Sequence, residues 1–137
     1  YPQKEPIIIH ELIEYNFGEF EGKTAEELES NPLFGEWLSG KEGVKPPFGE
    51  SNEEFSKRIA NAFIRIVDGL IESGVTQSAI VTHGGVINII YHLVNGIEWS
   101  NKSPAFMSAN CSVHILNMDK MKFEVENKID FLLSAVN

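Results

Sequence analysis

Cysteine is almost missing from this 137-residue chain: Cys111 stands alone. That excludes an internal disulfide and a zinc site built from several cysteines. A lone thiol fits a reducing compartment, so a cytoplasmic location is expected. Positive charge is scarce too. Eleven Lys and Arg face twenty Asp and Glu, a formal net charge of −9, which excludes a nonspecific electrostatic grip on nucleic acid or on an anionic membrane surface. A small anionic substrate stays open, because a few local donors prevail over the global field at short range. Long hydrophobic runs are absent. The stretch Val86 to Val94 is broken by Asn88 and His92 and is too short to span a bilayer. The opening Tyr1-Pro2-Gln3-Lys4-Glu5-Pro6 has none of the basic-then-apolar order of a signal peptide. There are no repeats, no low-complexity tract and no sign of a second domain, so residues 1–137 are expected to form one.

What is present suits a packed core: 42% hydrophobic and 23% charged residues is ordinary globular composition. Ile7-Ile8-Ile9 reads as a short buried strand. Glu14 to Gly22 has no period and reads as a loop. Thr24-Ala25-Glu26-Glu27 has the form of a capping box opening a helix that ends near Asn31-Pro32. Phe34, Trp37 and Leu38 suggest a further turn, and Ser39 to Gly49 a surface loop stiffened by Pro46-Pro47. Ser51-Asn52-Glu53-Glu54 is a second capping box. It starts the strongest helix, with Phe55, Ile59, Ala62, Phe63, Ile66, Val67 and Leu70 on one face and Gly74 as its stop. Ala79-Ile80-Val81 reads as a strand covered on both sides. Val86 to Val94 is a buried helix closed by Asn95-Gly96, and Ile97 to Ala109 is irregular. Cys111 to Asn117 and Lys122 to Asn127 form a hairpin around Met118-Asp119-Lys120, followed by an apolar tail, Ile129 to Val136. Strands alternating with helices imply an α/β sheet with helices on both faces, and ligands of such sheets sit beyond the carboxyl ends of the strands.

Two residues stand at such ends: His83, directly after one strand, and Glu14, a short loop after another. The two glycines after His83 let backbone approach a ligand closely, and a helix starting there presents free N–H groups to an anion. A histidine beside that anion offsets charge on transferring oxygens, and a facing carboxylic acid protonates a departing alkoxide. The plainer reading is a half-buried histidine at a strand end followed by a tight turn. Elsewhere the plain readings lead. Ser51 is first a helix cap, Arg58 pairs with a loop carboxylate, and Asn110 serves the backbone at a strand start. Glu19 and Glu21 are solvated, and Phe34, Trp37 and Leu38 are core or the wall of a cleft. His10-Glu11-Leu12-Ile13-Glu14 lacks the second histidine of a zinc-protease helix, so no metal is expected.

Four segments together point further. Leu12-Ile13-Glu14 with Phe17-Gly18 and Glu21-Gly22, then Pro47-Phe48-Gly49-Glu50-Ser51 with Phe55 and Arg58, then Ile80-Val81-Thr82-His83-Gly84-Gly85, then Asn110-Cys111-Ser112-Val113, occur in order over nearly the whole chain. They resemble the histidine phosphatase, or phosphoglycerate mutase-like, superfamily. The short loop between Asn31 and Gly49 is similar to that of short bacterial phosphatases acting on α-ribazole 5′-phosphate, a pattern shared by broad-specificity members. The resemblance implies a three-layer α/β/α fold with a mainly parallel sheet, no cofactor, and a small phosphorylated substrate. It implies that a phosphohistidine forms and is hydrolysed by water, with His83 and the Gly84 amide binding the transferring phosphoryl. Glu14 would serve as general acid and then as base.

The departure is as clear. No Arg-His-Gly, the family's nucleophile motif, occurs in these 137 residues, and Ile13 stands where many members carry arginine. The sequence thus reads as the C-terminal portion of the fold without its first central strand. A longer parent protein is expected in preference to a genuine short relative, and the chain alone is expected to be inactive. Open strand edges would drive it to aggregate or to form a homodimer. Beside the phosphatase reading stand mutase-type phosphoryl transfer and a non-catalytic phosphate binder. A nucleotide-binding domain is disfavoured, for want of the dinucleotide glycine spacing.

Overall fold

The computed structural model describes residues 3–99, 108–117 and 122–126. Two 3-10 turns, His10–Leu12 and Gly18–Phe20, precede the helices α1 (Ala25–Leu28), α2 (Pro32–Leu38), α3 (Asn52–Glu72) and α4 (Gly84–Val94). Strands β1 (Val113–Asn117) and β2 (Lys122–Glu126) then pair antiparallel, with Val113 opposite Glu126 and Asn117 opposite Lys122.

The helix ends lie where local chemistry puts them. Thr24 and Ser51 each accept the N–H of the glutamate three residues on, and that glutamate reaches back to the cap's own N–H. At α2 the Asn31 side chain accepts the Leu33 N–H at 3.0 Å. Pro32 fills the first helical position, where no N–H is missed. Gly74 and Gly96, at φ 66° and 64°, end α3 and α4 in the left-handed conformation that glycine adopts without strain.

The core lies between α3 and α4. Phe55, Ile59, Ala62 and Phe63 pack with Val86, Ile89 and Ile90 in one buried cluster, which Leu12 and Tyr15 join. Ile59 and Val86 are wholly enclosed, each burial worth about 1.5–3 kcal/mol. Tyr15, Phe17, Phe20, Phe34 and Trp37 form a second, aromatic cluster with ring centroids 4.9–5.9 Å apart, which makes Phe34 and Trp37 packing residues as expected. Leu38 is exposed.

Two expected strands are corrected. Ile7–Ile9 and Ala79–Val81 enter no sheet: Ile7 is 88% and Val81 97% exposed. A β-branched run prepares a segment for a ladder, but the ladder exists only with a neighbour to share its hydrogen bonds, and neither run shares a ladder with any described segment. The mainly parallel three-layer arrangement is therefore not seen among the described residues, whose sheet is two-stranded and antiparallel. The hairpin is found, two residues shorter at its start, because Cys111 sits in a turn at φ 61°. Its Met118-Asp119-Lys120 connection and the Ile129–Val136 tail lie outside the described residues. Among the described residues no helix is long and apolar enough to cross a membrane, and no group of three His, Cys, Asp or Glu could hold a metal ion.

Candidate active site

Helix α4 opens at His83, whose backbone is extended and whose side chain makes no cap. Glu14 supplies that cap from a distant part of the chain. Its Oε2 accepts the Gly85 N–H at 3.1 Å and its Oε1 accepts the Tyr15 N–H at 2.9 Å. The carboxylate thus lies at the positive end of the α4 dipole, where negative charge is favoured. Gly85 leaves room for this contact, because a β-carbon at that position would overlap the Glu14 carboxylate and displace it; at Gly84 the same space is open. Thr82 ties the approach, its hydroxyl donating to the Leu12 carbonyl at 2.8 Å. His83 is exposed and Glu14 half-buried. Glu14 and the His83-Gly84-Gly85 turn, 69 to 71 positions apart in sequence (83 − 14 and 85 − 14), accordingly meet in space.

Behind Glu14 lies a frame built by one arginine. Arg58, on α3, donates from Nη1 to the carbonyls of Glu11 (2.6 Å) and Ile13 (3.1 Å) and from Nη2 to that of Glu14 (3.3 Å). Its Nε and Nη2 also grip Glu50, at 3.1 Å to Oε2 and 2.5 Å to Oε1. The guanidinium lies over the Phe55 ring, 5.2 Å from its centroid, which holds the fork in place. Seven residues further along the same helix face, Arg65 pairs with the Glu11 carboxylate at 2.5 Å. That hydrogen bond from Arg65 holds the Glu11 carboxyl below its usual range.

The loop carrying Glu50 is laced to the loop carrying Glu14. Glu50 Oε1 accepts the Asn16 N–H at 2.8 Å, and the Glu50 N–H donates to the Asn16 carbonyl at 3.0 Å. The Tyr15 hydroxyl donates to the Glu50 carbonyl at 2.6 Å and accepts from Trp37 Nε1 at 3.0 Å. Burial pushes the Tyr15 phenol above its usual range, so it stays a donor. Gly18, at φ 52°, lets its loop pass so close to Pro47 that a β-carbon would overlap the Pro47 carbonyl.

Arg58 pairs with a loop carboxylate as expected, and Ser51 is a cap. Glu50 is committed to Arg58, and Glu21 to the Phe17 N–H at 3.0 Å. Glu19 and His10 are exposed, and His92 is buried in α4 with Nδ1 2.8 Å from the Asn88 carbonyl. Sequence reasoning missed the three carbonyls that Arg58 collects and the contact of Glu14 with the Gly85 amide. Only the run of two glycines after His83 hinted at the second.

Residues 2–130 match the family model of the histidine phosphatase superfamily, branch 1, and the chain belongs to that superfamily. It is thereby related to phosphatases and mutases that handle phosphoryl groups. The chain matches no curated protein and no solved structure.

Proposed function

We propose that the chain carries the phosphate-binding and acid–base part of a phosphomonoester hydrolase. The single observation behind this reading is the Glu14 carboxylate on the Gly85 amide in the first turn of α4, two residues after His83. In the proposed cycle His83 and the Gly84 amide stabilise the oxygens of the transferring phosphoryl. A nucleophilic histidine takes the phosphorus as the ester C–O–P bond breaks on its phosphorus side, and Glu14 gives its proton to the departing alkoxide oxygen. Glu14, now ionised, takes a proton from water as the water oxygen attacks the phosphorus and the P–N bond to the histidine breaks, releasing inorganic phosphate and the free imidazole.

The nucleophile is supplied, in this reading, by chain beyond these 137 residues, which form the C-terminal part of a single-domain fold. Ile7–Ile9 and Ala79–Val81, apolar and outside any sheet among the described residues, then become strands of the three-layer sheet once further strands cover them. Left alone, the chain hydrolyses nothing and associates through these segments, a homodimer being the smallest such state. The compact stretch between Asn31 and Gly49, most of it α2 and a tight loop, supports a phosphatase over a mutase. The lone Cys111 supports a cytoplasmic setting.

The test is turnover of p-nitrophenyl phosphate and of α-ribazole 5′-phosphate by the complete gene product and its His83→Ala and Glu14→Ala variants. Each substitution is expected to cut turnover of α-ribazole 5′-phosphate by about 10²-fold or more, and the 137-residue chain to show none. Unchanged rates in both variants overturn the assignment.

A further inference from the structure

The unusual element of this site is how many atoms of the Glu14 segment are held by one side chain that never touches its carboxylate. We infer that Arg58 is the positioning residue for Glu14, with Glu50 as its anchor; this rests on the reading of Glu14 as the general acid. Three consecutive features carry it. Arg58 collects the carbonyls of Glu11, Ile13 and Glu14 itself, so it fixes the backbone on both sides of the Glu14 Cα. Glu50 takes the remaining face of the fork through two oxygens, both residues being largely withdrawn from solvent, which sets the plane in which the guanidinium lies. The same Glu50 accepts the Asn16 N–H at 2.8 Å, so the segment is pinned beyond Glu14 as well as before it.

This arrangement asks for arginine specifically. Five donors in a fixed plane reach three carbonyls and a carboxylate at once, whereas a lysine ammonium offers a point charge with three donors and no plane. A general acid displaced by about 1 Å loses on the order of 10²-fold in rate. Arg58 therefore acts on chemistry through geometry, and its loss has to look like the loss of Glu14.

A series of leaving groups reads this out. An alkyl phosphate such as ethyl phosphate departs as a strong base and needs the acid's proton; 2,4-dinitrophenyl phosphate departs without it. In the complete gene product, Arg58→Lys is expected to lower kcat/KM about 10²-fold on ethyl phosphate and only a few-fold on the dinitrophenyl ester, matching the pattern of Glu14→Gln. Glu50→Gln, which leaves the arginine in place, is expected to give the same pattern with a smaller amplitude, and it carries the test if Arg58→Lys does not fold. A purely structural role lowers both substrates by the same factor. Equal losses in the Arg58 and Glu50 variants beside a leaving-group-dependent loss in Glu14→Gln overturn the positioning role alone. Equal losses in Glu14→Gln itself overturn the general-acid reading and this inference with it.

Discussion

The Glu14 carboxylate and the Gly85 amide meet at 3.1 Å, and the contact leaves no space for a side chain at position 85. Gly85→Ala must therefore swing the flexible Glu14 side chain aside, and its cost is that of the lost carboxylate–amide hydrogen bond, about 0.5–1.5 kcal/mol of stability. Gly84→Ala meets nothing and is expected to change stability by less than about 0.5 kcal/mol. Thermal denaturation of the two variants side by side checks the contrast. Equal melting temperatures would show that Glu14 does not rest on Gly85.

Ser51 holds the start of the helix that supplies Arg58. Its hydroxyl accepts the Glu54 N–H at 3.1 Å while Glu54 Oε2 accepts the Ser51 N–H at 2.7 Å, and the residue is buried. Ser51→Ala is expected to cost about 1 kcal/mol, a fall in melting temperature of about 3–6 °C for a chain of this size. Ser51→Asp, which keeps a capping oxygen, is expected to recover most of the loss. A melting temperature unchanged in Ser51→Ala would mean that α3 is held by its packed face alone.

The parts of this fold that were legible in the sequence are those decided within a few residues. A serine or threonine with glutamate three positions on satisfies its helix end locally, so both boxes and the bounds of α3 could be read directly. Ile7–Ile9 and Ala79–Val81 form no strand among the described residues because a strand is a property of two segments, and apolar β-branched residues say nothing about whether a second is at hand. The site divides the same way. Glu14 and His83 were visible because each stands in a motif of its own. Arg58 was visible only as half of an ion pair with a nearby acid, since its reach to Glu11, 47 positions earlier, belongs to the packing of α3 against the first 3-10 turn.

Phe48 is held in a conformation that suits glycine. It lies at φ 60° in a tight turn closed by the Gly49 N–H donating to the Pro46 carbonyl at 2.9 Å, and its ring is 88% exposed. Left-handed backbone costs a residue with a β-carbon roughly 1–2 kcal/mol, and an exposed ring returns little of it. Phe48→Gly is expected to raise stability by about 0.5–1 kcal/mol after the extra entropy of glycine in the unfolded chain is subtracted. Chemical denaturation of the two proteins measures this directly, and a destabilised Phe48→Gly variant would mean that the ring is covered in solution.

His114 gives the fold a pH dependence whose sign can be worked out. Its Nε2 lies 2.8 Å from the Ser108 hydroxyl and 2.9 Å from the Ser112 hydroxyl, which are themselves 2.8 Å apart. Burial pushes the imidazole below its ordinary value of 6.5, so the folded chain holds it neutral at a pH where the unfolded chain already binds a proton. Stability from this group is complete above about pH 6.5 and declines as pH falls through the folded value, because over that window the unfolded state binds more protons. The glutamates with lowered values, Glu11, Glu27 and Glu54, start from 4.5, so their loss sets in at lower pH and is separable. Between pH 7.5 and 5 the melting temperature of the native sequence is expected to fall more steeply than that of His114→Gln, whose amide does not titrate. Parallel curves for the two proteins would place the proton uptake elsewhere and remove His114 from the account.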